Sequence, residues 1–462
     1  SDGWVLFADS DGDGWLGNER PIHDYLVARE TFGWHRAGEP PPTTLAVNLS
    51  ESAGKPVLDL FFDNSAHGTH VAGIAAGQQI GAVDGFNGVA PGAQLLGLKI
   101  SRNDFGGITT TGSMFLAIDY AIRFARARGL PLVLNMSFGV GNEREGAARI
   151  DQILDSILTA NPGVIFVTSA GNDGPGVSTM GFPGSARRAL TVGATDPWAL
   201  TEAAFRGGKP APDRLAYFSA RGGELAKPDV VAPGTAFSTV PRWNMGDEFK
   251  GGTSMASPHV AGLAALLLSA ASAEHRAVTA DDIRRALSGS AQALAGGGPI
   301  DQGAGLPSLQ YAWPILLGVA PPAEFDVDVL SGGGVTAAYR IAPAADDSLL
   351  QFSVRRRGNA GPVEVSLTSS VPWLRAPASL RLTRAIDTIT LVQRPPLGTG
   401  TWTGAVRASA TGVQGPLFTL ISSVVVPDAT RPIPLRASGK VEAGAVRRVV
   451  FAVDSGRPFR VR

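Results

Sequence analysis

Three short islands in this chain hold side chains suited to moving protons. They are Ala66-His67-Gly68-Thr69-His70-Val71-Ala72-Gly73, Ser169-Ala170-Gly171-Asn172-Asp173-Gly174-Pro175 and Gly252-Thr253-Ser254-Met255-Ala256-Ser257-Pro258-His259. Ser254 follows Gly251-Gly252 and opens a long apolar run, so its hydroxyl and backbone N–H would stand at the positive end of a helix, where glycine lets another backbone come close. Such a serine is a nucleophile that carries half of an oxyanion site. His67 opens a second apolar helical run over 71–76, and an imidazole titrating near neutrality suits a base that takes a proton and returns it. Asn172 follows the apolar run 164–167 and so ends a strand, offering an uncharged amide donor to developing negative charge. Each residue also has a plain reading: helix N-cap, satisfied polar core residue and turn former.

The elements around these islands must bring them together. From about 90 to 275, short apolar runs alternate with helical periodicity, the pattern of parallel strands covered by helices on both faces. Strands are predicted over 94–100, 130–138, 164–169 and 189–193, and helices over 114–128, 147–158, 254–271 and 280–287. The fold class is therefore α/β, a doubly wound and mostly parallel sheet, with the polar Gly-rich islands at the carboxyl ends of its strands, where such sheets place their sites. After Pro307 the period changes to two. Segments 325–329, 350–354, 363–367, 386–392, 402–408 and 418–425 read as strands of an all-β sandwich. We divide the chain into a weakly periodic connection over 1–60, a catalytic domain over 61–318, a β-sandwich over 322–427 and the start of a further β unit over 428–462.

Composition removes several classes of function. Lys plus Arg and Asp plus Glu each number 40, so no net field steers nucleic acid or an anionic membrane to the chain. With no Cys among 462 residues, disulfide scaffolds, thiol catalysis and Cys-based metal centres are excluded. The apolar stretch 260–271 is short for a bilayer, which needs roughly 20 residues. The 58 Gly and 33 Pro are scattered among apolar runs, as in a turn-rich globular protein. His67 and His70 stand at i and i+3, but without a third ligand or a His-Glu-x-x-His pattern they do not predict zinc. Asp9-Ser10-Asp11-Gly12-Asp13-Gly14 reproduces the first half of a calcium loop, while Glu19 falls one place short of the usual closing acid. Asp9, Asp11 and Asp13 thus predict either a structural calcium site or a solvated acidic turn.

Taken together, His67, Asn172 and the run Gly252-Thr253-Ser254-Met255-Ala256-Ser257-Pro258 resemble the subtilisin-like serine proteases, the peptidase S8 type. The resemblance implies that Ser254 attacks the scissile carbonyl, that His67 is the general base and then acid, and that the Asn172 amide with the Ser254 N–H holds the oxyanion. It further implies that Ser137, Phe138 and Gly139 pair with an extended substrate, that Ser169, Ala170 and Gly171 wall the primary specificity pocket, and that the chemistry requires no cofactor. His70 and His259 are left structural. Phe32-Gly33, the segment 88–94, and Val371-Pro372-Trp373-Leu374 and Gly415-Pro416-Leu417-Phe418 in the sandwich are similar to the tripeptidyl-peptidase II branch. That likeness implies a triad Asp upstream of Ser1, with Asp9 as the alternative, and hence an excised segment of a longer protein. It also implies acidic grips for the substrate amine where this chain has Val140 and Thr109 or Thr110, unless Glu143 or Glu145 reaches the spot. The expectation is a secreted or periplasmic endopeptidase acting on polypeptides, with β domains that position substrate or mediate self-assembly. A tripeptidyl exopeptidase and a catalytically silent binding module are the alternatives.

Overall fold

A run such as Val164-Ile165-Phe166-Val167 has no polar face to turn outward, so it is stable only where both faces are covered. The computed structural model describes residues 3–35, 44–62, 65–101, 111–142, 144–205, 212–341, 348–358, 361–394, 398–428 and 448–450. The chain forms two units, Ser1–Tyr120 with Phe237–Lys250, and Ala121–Ala236 with Gly251–Arg462.

In the first unit, β1 (Thr44–Ser52) and β2 (Lys55–Phe61) form an antiparallel hairpin. The sequence predicts only a surface connection there, and β2 does lie at the surface, exposed at every residue but Val57. Gly54 at φ +75° closes the turn between the strands, a conformation open to glycine at little cost. α1 (His67–Ala76) follows, with His70, Val71, Gly73, Ile74 and Ala76 on its buried side. The predicted strand 94–100 is not one: Leu95 is 61% exposed and Leu96 38%, and the segment lies outside every named strand. An apolar run becomes a strand only where a ladder partner and a covered face exist.

In the second unit, β3 (Leu132–Met136), β4 (Val164–Ser169), β5 (Leu190–Asp196) and β6 (Val230–Pro233) form a parallel sheet in the spatial order β6-β5-β4-β3. Leading helices are α2 (Arg149–Ala160), α3 (Thr253–Ala273), α4 (Ala280–Ser290) and α5 (Leu309–Leu317). α3 lies in the core against the sheet through Ala256, Val260, Ala264 and Leu267. Its 21 residues are long and apolar enough to cross a bilayer, correcting the shorter stretch expected, but 61% of its apolar window is buried inside the protein. α4 starts on a capping box between Thr279 and Asp282, which satisfies two first-turn donors at once. α5 lies where a purely period-two pattern was expected after Pro307, and Pro314 within it masks the helical signal.

The remaining strands form two sheets. One has the order Glu324–Val329, Ser348–Arg357, Ile386–Gln393, Leu374–Arg375; the other Ala337–Ile341, Phe418–Val426, Gly400–Ser409, Val363–Ser369, Ser379–Leu382. Inward residues such as Phe352, Val365, Leu391, Val406 and Leu420 make one buried cluster. The first strand, β7 (Glu324–Val329), divides its duties by strict alternation. Phe325, Val327 and Val329 pack on that cluster. Glu324 meets Arg357 at 2.7 Å, Asp326 meets Arg188 at 2.8 Å, and Asp328 pairs with Arg187. Arg357 also reaches Asp281 in the first turn of α4, at 2.6 Å. Of the further β unit over 428–462, nearly all lies outside the described residues, as do Thr109, Thr110 and Glu143.

Candidate active site

In the second unit the carboxyl ends of β3 and β4 meet the amino end of α3. Gly252 is the N-cap of α3, at φ +151°, and its N–H donates to the Gly234 carbonyl at 2.8 Å. A Cβ at Gly252 would make only ordinary contact with Asn172 Nδ2, at 3.6 Å, so it is the backbone conformation, which other residues enter only under strain, that calls for glycine here. Thr253 is buried. Its N–H and its Oγ1 both donate to Asn172 Oδ1, each at 2.9 Å, and its Oγ1 accepts the Gly171 N–H at 3.2 Å. With Oδ1 engaged in this way, the carboxamide turns its Nδ2 donor face the other way, which is the end an oxyanion would need.

Ser254 is half-buried at the second position of α3, one of the places where the backbone N–H has no acceptor within its own helix. Its Oγ lies 3.5 Å from the Ser137 carbonyl, a distance at the limit of hydrogen bonding. In return, Ser137 Oγ donates to the Ser254 carbonyl at 2.8 Å. Beyond Phe138 and Gly139, Val140 exchanges backbone hydrogen bonds with Phe182 at 3.0 and 2.9 Å. Ser169 and Ala170, just before Asn172 in the chain, are buried, and Gly171, at φ +107°, faces Ala220 and Gly181. The structure therefore brings Ser137, Ser169, Ala170, Gly171, Asn172 and Ser254 into one neighbourhood. Sequence reasoning missed Thr253, whose place directly before Ser254 is its only signal, and the relay of Asn135 and Ser257 taken up below.

Glu145 belongs beside this group. It is 3% exposed, and its Oε1 accepts the Met180 N–H at 2.6 Å, while Oε2 is buried with no partner. Burial pushes its carboxyl up to about 8, against the lowering effect of the Met180 hydrogen bond. Met180 packs in turn with Ala170 and Ala220.

In the first unit, His67 is the first residue of α1 and half-buried. The N-cap before it, Ala66, is fully buried at φ +57°, a left-handed conformation that a non-glycine residue adopts only when its surroundings dictate it. His70 is buried, with Nε2 2.8 Å from the Glu248 carbonyl, and desolvation holds its pKa below the usual histidine range. Its own carbonyl accepts from Ser238 Oγ at 2.8 Å. In the second unit, His259 Nδ1 turns to the Met255 carbonyl at 2.8 Å within α3, and burial lowers its pKa as well.

Asp9, Asp11 and Asp13 converge, with ligand atoms within 4.8 Å of one another. Asp9 accepts from the N–H of Asp13 at 3.0 Å and of Gly14 at 2.9 Å, one on each oxygen. Glu19 is tied to Ser10 by hydrogen bonds of 2.5 and 2.8 Å. The three carboxylates match the opening half of a calcium loop; the closing bidentate acid at its twelfth position has no counterpart, since Arg20 stands there.

The profile of the subtilase family (Peptidase_S8) matches residues 53–306, more than half of the chain. The chain is a subtilase. It is similar to pyrolysin of Pyrococcus furiosus, 34% identical over 68% of this chain and 25% of that protein. It is likewise similar to tripeptidyl-peptidase 2 of Drosophila melanogaster, 28% identical over 95% of this chain and 32% of the relative. Among solved structures, the crystal structure of tripeptidyl peptidase 2 superposes with a TM-score of 0.70 over 93% of this chain and 34% of that one, at 24% identity. This subtilase therefore spans between a quarter and about a third of the length of these relatives.

Proposed function

We propose that this subtilase, a serine protease by family, is an endopeptidase in which Ser254, His67 and Asn172 carry the reaction. Ser254 Oγ adds to the scissile carbonyl as His67 takes its proton. The tetrahedral oxyanion is held by Asn172 Nδ2 and the Ser254 N–H. Collapse expels the amine with the proton returned from His67, and water then releases the acyl group from Ser254 by the same path. The arrangement of Thr253, which engages the oxygen end of the Asn172 carboxamide and leaves its donor end available, supports this assignment of the oxyanion site. Asp9 is in this reading a loop-forming residue, its two oxygens accepting the backbone N–H groups of Asp13 and Gly14 within its own turn.

One observation carries the choice of endopeptidase over exopeptidase. Val140 occupies the place where the tripeptidyl-peptidase II pattern implies an acid, and its apolar side chain is 48% exposed. Glu145, the described alternative, is enclosed and bonded to Met180. Among the described residues, neither Val140 nor Glu145 would give a substrate ammonium a counter-charge for the hydration it loses there. The test compares a peptide with its N-terminally acetylated form. We expect equal cleavage; loss of cleavage on acetylation would make the enzyme an exopeptidase, in line with the names of the tripeptidyl-peptidase 2 relatives.

A further inference from the structure

In an α-helix the carbonyl of residue i is paired with the N–H of residue i+4. Pro258 lies within α3, four residues after Ser254, and proline has no N–H to give. The carbonyl of Ser254 is thus orphaned in its own helix, at the one residue whose position matters most. The missing donor arrives from β3: Ser137 Oγ, one residue past the strand, donates to that carbonyl at 2.8 Å. Two neighbours aim it. Ser257 Oγ donates to Asn135 Oδ1 at 2.6 Å, which turns the amide end of Asn135 toward Ser137, and Asn135 Nδ2 donates to Ser137 Oγ at 3.1 Å. With its oxygen accepting from Asn135, the Ser137 hydroxyl proton is directed at the Ser254 carbonyl.

We propose that Ser137 is a positioning residue for Ser254. Its hydroxyl replaces the helical donor that Pro258 withholds, and so holds the Ser254 backbone in register with Asn172 and keeps Ser254 N–H and Oγ pointed at a common substrate carbonyl. This role is separate from the backbone pairing with substrate that the segment Ser137-Phe138-Gly139 offers. It rests on the reading of Ser254 as the nucleophile.

The test uses the full chain with four substitutions, read by the rate of labelling with a fluorophosphonate and by steady-state hydrolysis. Ser137→Ala should lower the labelling rate and kcat about tenfold, the rate equivalent of one lost neutral hydrogen bond, with KM little changed. Ser137→Thr keeps the hydroxyl and should fall less. Adding Pro258→Ala to Ser137→Ala supplies a backbone N–H that can reach the Ser254 carbonyl, and should recover most of the loss. A merely structural serine predicts no such recovery, because neither single change repairs the other's packing. The proposal is overturned if Ser137→Ala labels at the parent rate, if its defect appears only in KM, or if Pro258→Ala recovers nothing. Ser254→Ala separates the two ideas: if it labels as well as the parent, the nucleophile assignment has failed, whatever Ser137 does.

Discussion

Glu145 offers the sharpest physical prediction, because its carboxyl is enclosed on all sides and one of its oxygens has no partner. Its ordinary value is 4.5, and burial raises it to about 8 in the folded protein. Between those two values the unfolded chain has released a proton that the folded chain still holds, so stability must fall as pH rises through the window and level off above it. At about 1.4 kcal/mol per unit, the full displacement corresponds to a ceiling of about 5 kcal/mol, reached near pH 8. Glu145→Gln keeps an oxygen for the Met180 N–H, fills the same space and does not titrate. The variant should therefore gain on the parent by several kcal/mol between pH 5 and pH 8, measured by urea unfolding across that range. Asp151, Asp196 and Glu324 are also raised, chiefly by burial, but they are present in both proteins and cancel in the difference. A gap between variant and parent that stays constant from pH 5 to pH 8 would refute the reasoning.

Two further outcomes follow from the site. Asn172→Ala should lower kcat by about 10² to 10³ with little change in KM, a range taken from the equivalent donor of a subtilisin, a member of the same family; a defect confined to KM would remove Asn172 from the oxyanion site. Asp9→Asn should leave kcat within about threefold of the parent, because losing a triad carboxylate costs about 10⁴, and a fall of that size in hydrolysis assays would make Asp9 the acid.

Much of this was legible in the residues, and the exceptions have physical causes. Six predicted sandwich strands are present, Val363–Ser369 by strict alternation and Phe418–Val426 as a long apolar run buried almost throughout, whereas Ala337–Ile341, Leu374–Arg375 and Ser379–Leu382 are too short or too mixed to carry the pattern. β6 ends in Pro233, and proline lowers any reading as a strand. The three islands identified Ser254, His67 and Asn172 as chemical groups, since reactive residue types flanked by glycine stand out locally. Thr253, Asn135 and Ser257 did not stand out: each acts through a partner distant along the chain, such as Asn135 and Ser257 across 122 positions. One cue was available and unread. Pro258 four places after Ser254 already implies an orphaned carbonyl, and therefore a donor somewhere else.

β7 has a consequence for anyone who trims this chain. Its acidic edge is matched by guanidinium groups from Arg187 and Arg188, between α2 and β5, and from Arg357 on the neighbouring strand. Cutting the chain near residue 318 would part Arg187 from Asp328, Arg188 from Asp326 and Arg357 from Asp281, leaving Arg188 only its longer contact with Asp281 and Asp328 without its guanidinium. The strand is thus joined to the parallel-sheet region by matched charges as well as by the chain itself, and the protein is best expressed with both together.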